Sequence, residues 1–364
     1  MTFPAFRFGV EAGYGPRRGG YVTVKENAPA PTLGRVEPGQ VRRPAADLWV
    51  VWPAAPSRHE GQPHAYRIAG RRVVSRRPLP ALAPFEVSAA GAVEAVVAAI
   101  LGHAEPGTAC FAGPVVIGGR TVQAGSFAVG DGLRLEVRGL RPFFVSGDRP
   151  LIACLEDGPD RESDLFADTF IGPVLMTALA LHGTFCLHAS SVRAGTRIVA
   201  FAGETGAGKS TLAQKLMEVA PALWERLTDD ILPLTATDGS IAVEPRFPQL
   251  KLPGGAQLPP GDSDRHTLSA LYQLVPPTAG AGGQVRSQRV GPAQAMAVVA
   301  SQTVSAKLFS PGLLDAHLAF CREIAARVPV RLLTYPRSLT AVAAVSELLR
   351  SELDAPTSHD GRTA

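Results

Sequence analysis

The sequence predicts an α/β domain over residues 166–353, preceded by a smaller β-rich α+β domain over residues 44–165. Three observations predict it. Residues 203–211 read Gly-Glu-Thr-Gly-Ala-Gly-Lys-Ser-Thr, with an apolar strand-like run before them and a helical pattern after them. Two alternating stretches, 181–192 and 227–234, lie either side of that unit. Residues 48–161 carry short alternating runs separated by turn residues, the pattern of antiparallel strands.

Taken in order, residues 1–43 are rich in Gly, Pro and Arg and read as a flexible N-terminal segment. A first strand is expected at 48–52. Residues 92–101 place Val93, Val96, Val97 and Ile100 on one helical face. Residues 114–122 form a hairpin on Gly118-Gly119, and 133–137 alternate as a half-buried strand. A helix over 171–181 opens the second domain. Phe185, Leu187 and Ala189 then alternate with Cys186, His188 and Ser190 as a strand, and Arg193-Ala194-Gly195-Thr196 turns back into the strand 197–202. Farther on, residues 276–283 form a long Gly- and Pro-rich loop, either a lid or substrate-binding flap or, equally, a surface insertion. Helices follow at 313–327 and 339–349, and 354–364 is a disordered tail.

Gly203, Glu204, Thr205, Gly206, Ala207, Gly208, Lys209 and Ser210 fill the pattern G-x-x-x-x-G-K-[ST], and Thr211 continues into the helix. The chemistry follows from the backbone. Glycines let successive N–H groups turn inward round an anion, and the helix N-terminus adds partial positive charge. Lys209 would meet the β- and γ-phosphates of ATP, and the Ser210 hydroxyl would hold Mg2+. Asp229 and Asp230 stand on the expected strand twenty residues beyond the lysine. Side chains alternate along a strand, so one carboxylate would serve the metal and the other accept a proton, unless the backbone turns between them. On its own an Asp-Asp pair reads as a solvated turn, and a single strand histidine such as His188 as a structural residue; the nearby loop favours a role in chemistry for the acids.

His188-Ala-Ser-Ser-Val, the short hairpin, the loop Gly203–Ser210 and Asp229-Asp230 together resemble the core of the HPr kinase/phosphorylase family and its relatives in peptide-modifying systems. His188 stands fifteen residues ahead of Gly203, the family's spacing. The resemblance covers roughly residues 165–255. It implies an α/β P-loop kinase domain of the HPr kinase C-terminal, PEP carboxykinase-like type, acting with ATP and Mg2+. It also implies that Asp229 is the base, with His188 paired to it; that Asp230 and Ser210 serve the metal; and that Lys209 serves the phosphates. Bifunctional members carry a late glycine- and arginine-containing segment, whereas residues 328–337 here resemble the closing strand of smaller relatives, as residues 245–253 do their Pro…Leu-Lys-Leu stretch. The implied acceptor is therefore a serine or other hydroxyl of a peptide or protein rather than HPr. Arg246, Lys251, Arg331 and Arg337 are weaker candidates for phosphate or substrate contacts, each better explained by surface solubility. The rival readings are a nucleotide-binding scaffold without transfer, a small-molecule kinase and a plain ATPase.

Composition narrows the setting. The 364 residues carry a net charge of +4 and 46% hydrophobic residues, ordinary for a globular chain. The arginines occur as isolated pairs without interleaved aromatics, so no nucleic-acid partner is expected. The longest apolar stretches fall well short of the ~20 residues of a membrane span, and no secretory signal is evident. Cys110, Cys154, Cys186 and Cys321 form no C-x-x-C pair, which points to reduced thiols in the cytoplasm. A homo-oligomer is left open.

Overall fold

The computed structural model describes residues 47–51, 63–75, 77–89, 107–154, 163–248, 266–276 and 284–355. Expectations for residues 1–43, the helix at 92–101, Lys251, most of the loop at 276–283 and the tail beyond 355 lie outside the described residues. Within them the protein is a mixed α/β structure with two large sheets.

The first sheet comprises β1 (Leu48–Val51), β2 (His64–Ile68), β3 (Arg71–Ser75), β4 (Glu86–Val87), β5 (Thr108–Ile117), β6 (Arg120–Val129), β7 (Gly132–Val137), β8 (Phe143–Val145) and β9 (Leu151–Cys154). Their order is β4-β2-β3-β1-β9-β8-β7-β6-β5, with β1 parallel to both of its neighbours and the other pairs antiparallel. The hairpin expected at 114–122 is the tip of the longer β5-β6 pair. Gly118 and Gly119 turn it at φ of 56° and 75°, which side chains adopt only with strain.

Two helical segments follow, α1 (Asp164–Thr169) and α2 (Leu175–Leu181), joined through one π-helical turn, Phe170–Val174. Pro173 explains the join, because it has no N–H to donate to the preceding turn. Ser163 caps α1, its hydroxyl accepting the Phe166 N–H at 3.1 Å. The run Asp164–Leu181 is long and apolar enough to cross a membrane by length and composition alone, which corrects the expectation drawn from shorter apolar stretches; 61% of it is buried inside the protein. Val174, Leu175, Ala178 and Leu179 of this run share one core with Leu48, Val50 and Phe143 of the first sheet and with Cys186 and Ile231 of the second. Sheet membership therefore changes where a domain boundary is expected, and the apolar core continues across it.

The second sheet holds β10 (Thr184–His188), β11 (Ser190–Ala194), β12 (Arg197–Ala202), β13 (Glu225–Thr228), β14 (Ile231–Ala236), β15 (Ile241–Val243), β16 (His266–Leu274), β17 (Arg286–Arg289) and β18 (Val330–Thr334). Its order is β10-β14-β15-β16-β12-β11-β13, with β18 also on β16 and β17 on β18. β12 is apolar on both faces because both are covered. Ile198, Ala200 and Ala202 pack with α4 (Pro292–Gln302) and α5 (Pro311–Arg327); Val199 and Phe201 pack with α3 (Lys209–Val219) and α6 (Leu339–Asp354). In the latter layer the Trp224 indole N–H donates to the Ser346 hydroxyl at 2.8 Å, tying the segment before β13 to α6. Ser346→Ala leaves that buried donor unsatisfied. The expected loss is about 1–3 kcal/mol of stability, measured as a lower urea midpoint at unchanged slope; an unchanged midpoint would show the indole re-pairing with water.

Candidate functional site

The site grows out of the end of β12. Gly203 has φ of 142°, and a Cβ there would lie 3.2 Å from the Leu274 carbonyl and 3.3 Å from the Ala207 side chain, so β16 and the loop itself demand glycine. Gly206 and Gly208 also take positive φ, 84° and 95°. Gly208 is the N-cap of α3, and its carbonyl accepts the Leu212 N–H at 2.8 Å. Between them the Ala207 N–H closes a turn on the Glu204 carbonyl at 3.0 Å. The strand, glycine turn and helix expected from the sequence are all present, with the side chains of Glu204, Thr205 and Thr211 exposed.

Lys209 is only 6% exposed, and its Nζ donates to the carbonyls of Gly203 at 2.8 Å and Glu204 at 3.2 Å. The ammonium thus lies inside the curve of the loop. From the far side the Gly203 N–H donates to Oε1 of Gln302, the last residue of α4, at 3.2 Å. Nothing in the sequence marks Gln302; ninety-nine residues separate it from its partner.

The acidic pair departs from expectation. Residues 227–234 are not one strand: β13 ends at Thr228 and β14 begins at Ile231, with Asp229-Asp230 forming a bend between them. Opposite this bend Ala189 separates β10 from β11, and its N–H donates to the Asp230 carbonyl at 3.2 Å. The two carboxylates consequently find different partners. Nε2 of His188 lies 3.1 Å from Oδ1 of Asp230. Asp229 instead pairs with Arg226, three residues earlier, and Nη1 of Arg226 also reaches Oε1 of Gln214 on α3 at 3.1 Å. The pairing of His188 with Asp229 implied by the resemblance is therefore corrected: the bend turns Asp229, 3% exposed, toward Arg226 and leaves Asp230, 8% exposed, to the histidine. An arginine three residues before an acid was a signal available in the sequence.

Ser210 sits beside this bend. Its Oγ lies 3.4 Å from the Ser190 hydroxyl, which donates to the Asp229 carbonyl, and 3.5 Å from that carbonyl itself. The Ser190 and Ser210 hydroxyls and the Asp229 carbonyl beside the glycine loop are hard oxygen donors of the type Mg2+ takes, so this donor set fits the ion. Among the described residues no three His, Cys, Asp or Glu side chains converge as a metal cage.

The arginines divide. Arg331 is held by Glu352 of α6 at 3.0 Å, inside a network where the Tyr272 hydroxyl also donates to Glu352, so it fastens α6 to the sheet and is not turned to the loop. Arg246 accepts the Ala69 N–H through its carbonyl at 2.6 Å. Arg337 touches the loop, Nη2 donating to the Gly206 carbonyl at 3.2 Å.

No family model matches the chain, and no curated protein matches it. Among solved structures, one described as the Hpr(Ser) kinase/phosphatase from Coxiella burnetii aligns with 14% identity and a TM-score of 0.25, covering 46% of this chain and 95% of that one. A likeness of that size leaves the functional reading to rest on the residues themselves.

Proposed function

We propose that the chain is an ATP- and Mg2+-dependent kinase of the HPr-kinase-like P-loop type, transferring the γ-phosphoryl group to a serine or similar hydroxyl of a peptide or protein. The observation that carries this reading is the meeting of the loop Gly203–Ser210 with the His188–Asp230 pair through Ser190 and the Asp229 carbonyl. A nucleotide-binding scaffold needs the loop but has no use for a histidine-oriented carboxylate beside it.

In this reading the loop amides and Lys209 bind the triphosphate, with the ammonium exchanging the Gly203 and Glu204 carbonyls for phosphate oxygens. Ser210, with its neighbouring oxygens, would hold Mg2+, which when bound neutralises charge on the β- and γ-phosphates. Asp230, oriented by His188, accepts the acceptor's proton as the new O–P bond forms and the bond to the β-phosphate oxygen breaks. Asp229 is neutralised by Arg226 and has a positioning role: its carbonyl fixes Ser190. Most of the rate enhancement then comes from placement and charge compensation. The β-rich residues 44–165 would serve acceptor recognition. A reducing, cytoplasmic setting accords with the four free cysteines.

Mg-ATP should stabilise the wild-type protein by RT ln(1 + [L]/Kd), read as a rise in melting temperature that grows with nucleotide. Lys209→Ala should lose most of that rise while melting near wild type without nucleotide, since its ammonium donates to the Gly203 and Glu204 carbonyls of the loop and not into the apolar core. No shift in the wild type at millimolar Mg-ATP would end the nucleotide reading.

A further inference from the structure

The corner between β18 and α6 lies against the phosphate-binding loop, and two of its side chains are unspent. β18 ends at Thr334 and Ser338 caps α6 by accepting the Ala341 N–H at 3.2 Å, so Tyr335, Pro336 and Arg337 form a short corner pinned at both ends. The Ser338 N–H donates to the Pro336 carbonyl at 2.8 Å, tightening it further.

Tyr335 is 9% exposed, packed by its ring among Leu212, Leu333 and Val342. Its hydroxyl makes no hydrogen bond to any described residue, and a Cβ built on Gly208 would lie 3.8 Å from that oxygen. The ring is buried, and the hydroxyl lies beside the N-cap of α3 with no hydrogen-bond partner among the described residues. Burial pushes its pKa up against the opposing pull of Arg337, so it remains a donor at neutral pH.

Arg337 complements it. Arg226, Arg331 and Arg350 are each paired with a carboxylate, whereas no described carboxylate pairs with Arg337. Its exposed guanidinium donates to the Gly206 carbonyl, which leaves most of its five donors for another acceptor. A neutral donor and an unpaired guanidinium, together at the positive end of a helix and at a glycine loop, are complementary to anionic oxygens.

We infer that Tyr335 and Arg337 form a second wall of the nucleotide site, opposite in sequence to Lys209, which contacts the phosphate chain and makes affinity rise with phosphate number. This rests on the nucleotide reading above. It adds two contact residues from the far end of the chain and a basis for preferring triphosphate to diphosphate.

Isothermal titration of the full chain with Mg-ATP, Mg-ADP and adenosine tests it. Arg337→Ala should weaken Mg-ATP binding about tenfold or more, as expected for loss of charge-assisted hydrogen bonds, with a smaller loss for Mg-ADP and none for adenosine. Tyr335→Phe keeps the packed ring and removes only the hydroxyl; it should cost about fivefold for Mg-ATP. Arg337→Lys should fall between wild type and Arg337→Ala, retaining charge without the fork. If wild type binds nucleotide and the Ala and Phe variants bind Mg-ATP as tightly, or lose adenosine in parallel, the assignment of these two residues is overturned. If wild type binds none of the three, it is the nucleotide reading itself that fails.

Discussion

Asp230→Asn is expected to lower phosphoryl transfer by about 10²–10⁴-fold, the range typical for loss of a general base, with little change in Mg-ATP affinity. The expectation rests on the proposed mechanism: His188 lies 3.1 Å from Asp230, and asparagine keeps the shape of that carboxylate while losing its ability to take a proton. His188→Ala should be a milder version of the same lesion, with an altered pH profile, because it removes the orienting partner and spares the base. The measurement is single-turnover transfer to an acceptor peptide, beside calorimetric titration of Mg-ATP with and without the metal. If Asp230→Asn instead abolishes the Mg2+ dependence of ATP binding, Asp230 is a metal ligand and the base lies elsewhere. If transfer proceeds at the wild-type rate with binding intact, Asp230 has no part in the chemistry.

Asp229→Ala is expected to act on stability, costing about 3 kcal/mol, because it strands the Arg226 guanidinium in a site where the two side chains are 15% and 3% exposed. Removing one member of a buried pair costs far more than removing both, since the charge left behind has been stripped of water and given nothing in return. The double variant Arg226→Met/Asp229→Ala should therefore recover a large part of the loss. A urea-denaturation double-mutant cycle checks this. Additive losses would show that Arg226 and Asp229 are not coupled. If Asp229→Ala instead leaves stability unchanged and abolishes transfer, Asp229 is the base after all, and the pairing in the resting protein misrepresents its role.

The loop was legible in full, because each of its parts is a local demand. Three glycines occur where the backbone takes positive φ, the lysine follows the last of them, an apolar strand precedes and a helix with Leu212 and Leu216 follows. Local chemistry also fixed the hairpin at Gly118-Gly119, the turn at Gly195-Thr196 and the amphipathic helices α5 and α6. The register of β10 with β14 was not legible, and that register decides the acidic pair. Thr184 to His188 pair with Thr235 to Ile231, so the bend at Asp229-Asp230 falls opposite Ala189 and each carboxylate leaves the sheet in its own direction. From sequence alone the two acids were interchangeable members of one strand.

The same division separates the rest of the site. The sequence by itself determined a strand, glycine loop and helix able to cradle an anion, with a lysine and a serine at its end, since φ preferences and hydrophobic periodicity act over a few residues. Only the tertiary structure decided that His188 serves Asp230, that Arg226 neutralises Asp229, that Gln302 fastens Gly203, and that Tyr335 and Arg337 stand over Gly206 and Gly208. Partners such as Gln302 and Gly203, or Arg337 and Gly206, are brought together by the packing of whole strands and helices. That packing is fixed by the burial of many apolar side chains at once, and no single segment encodes it.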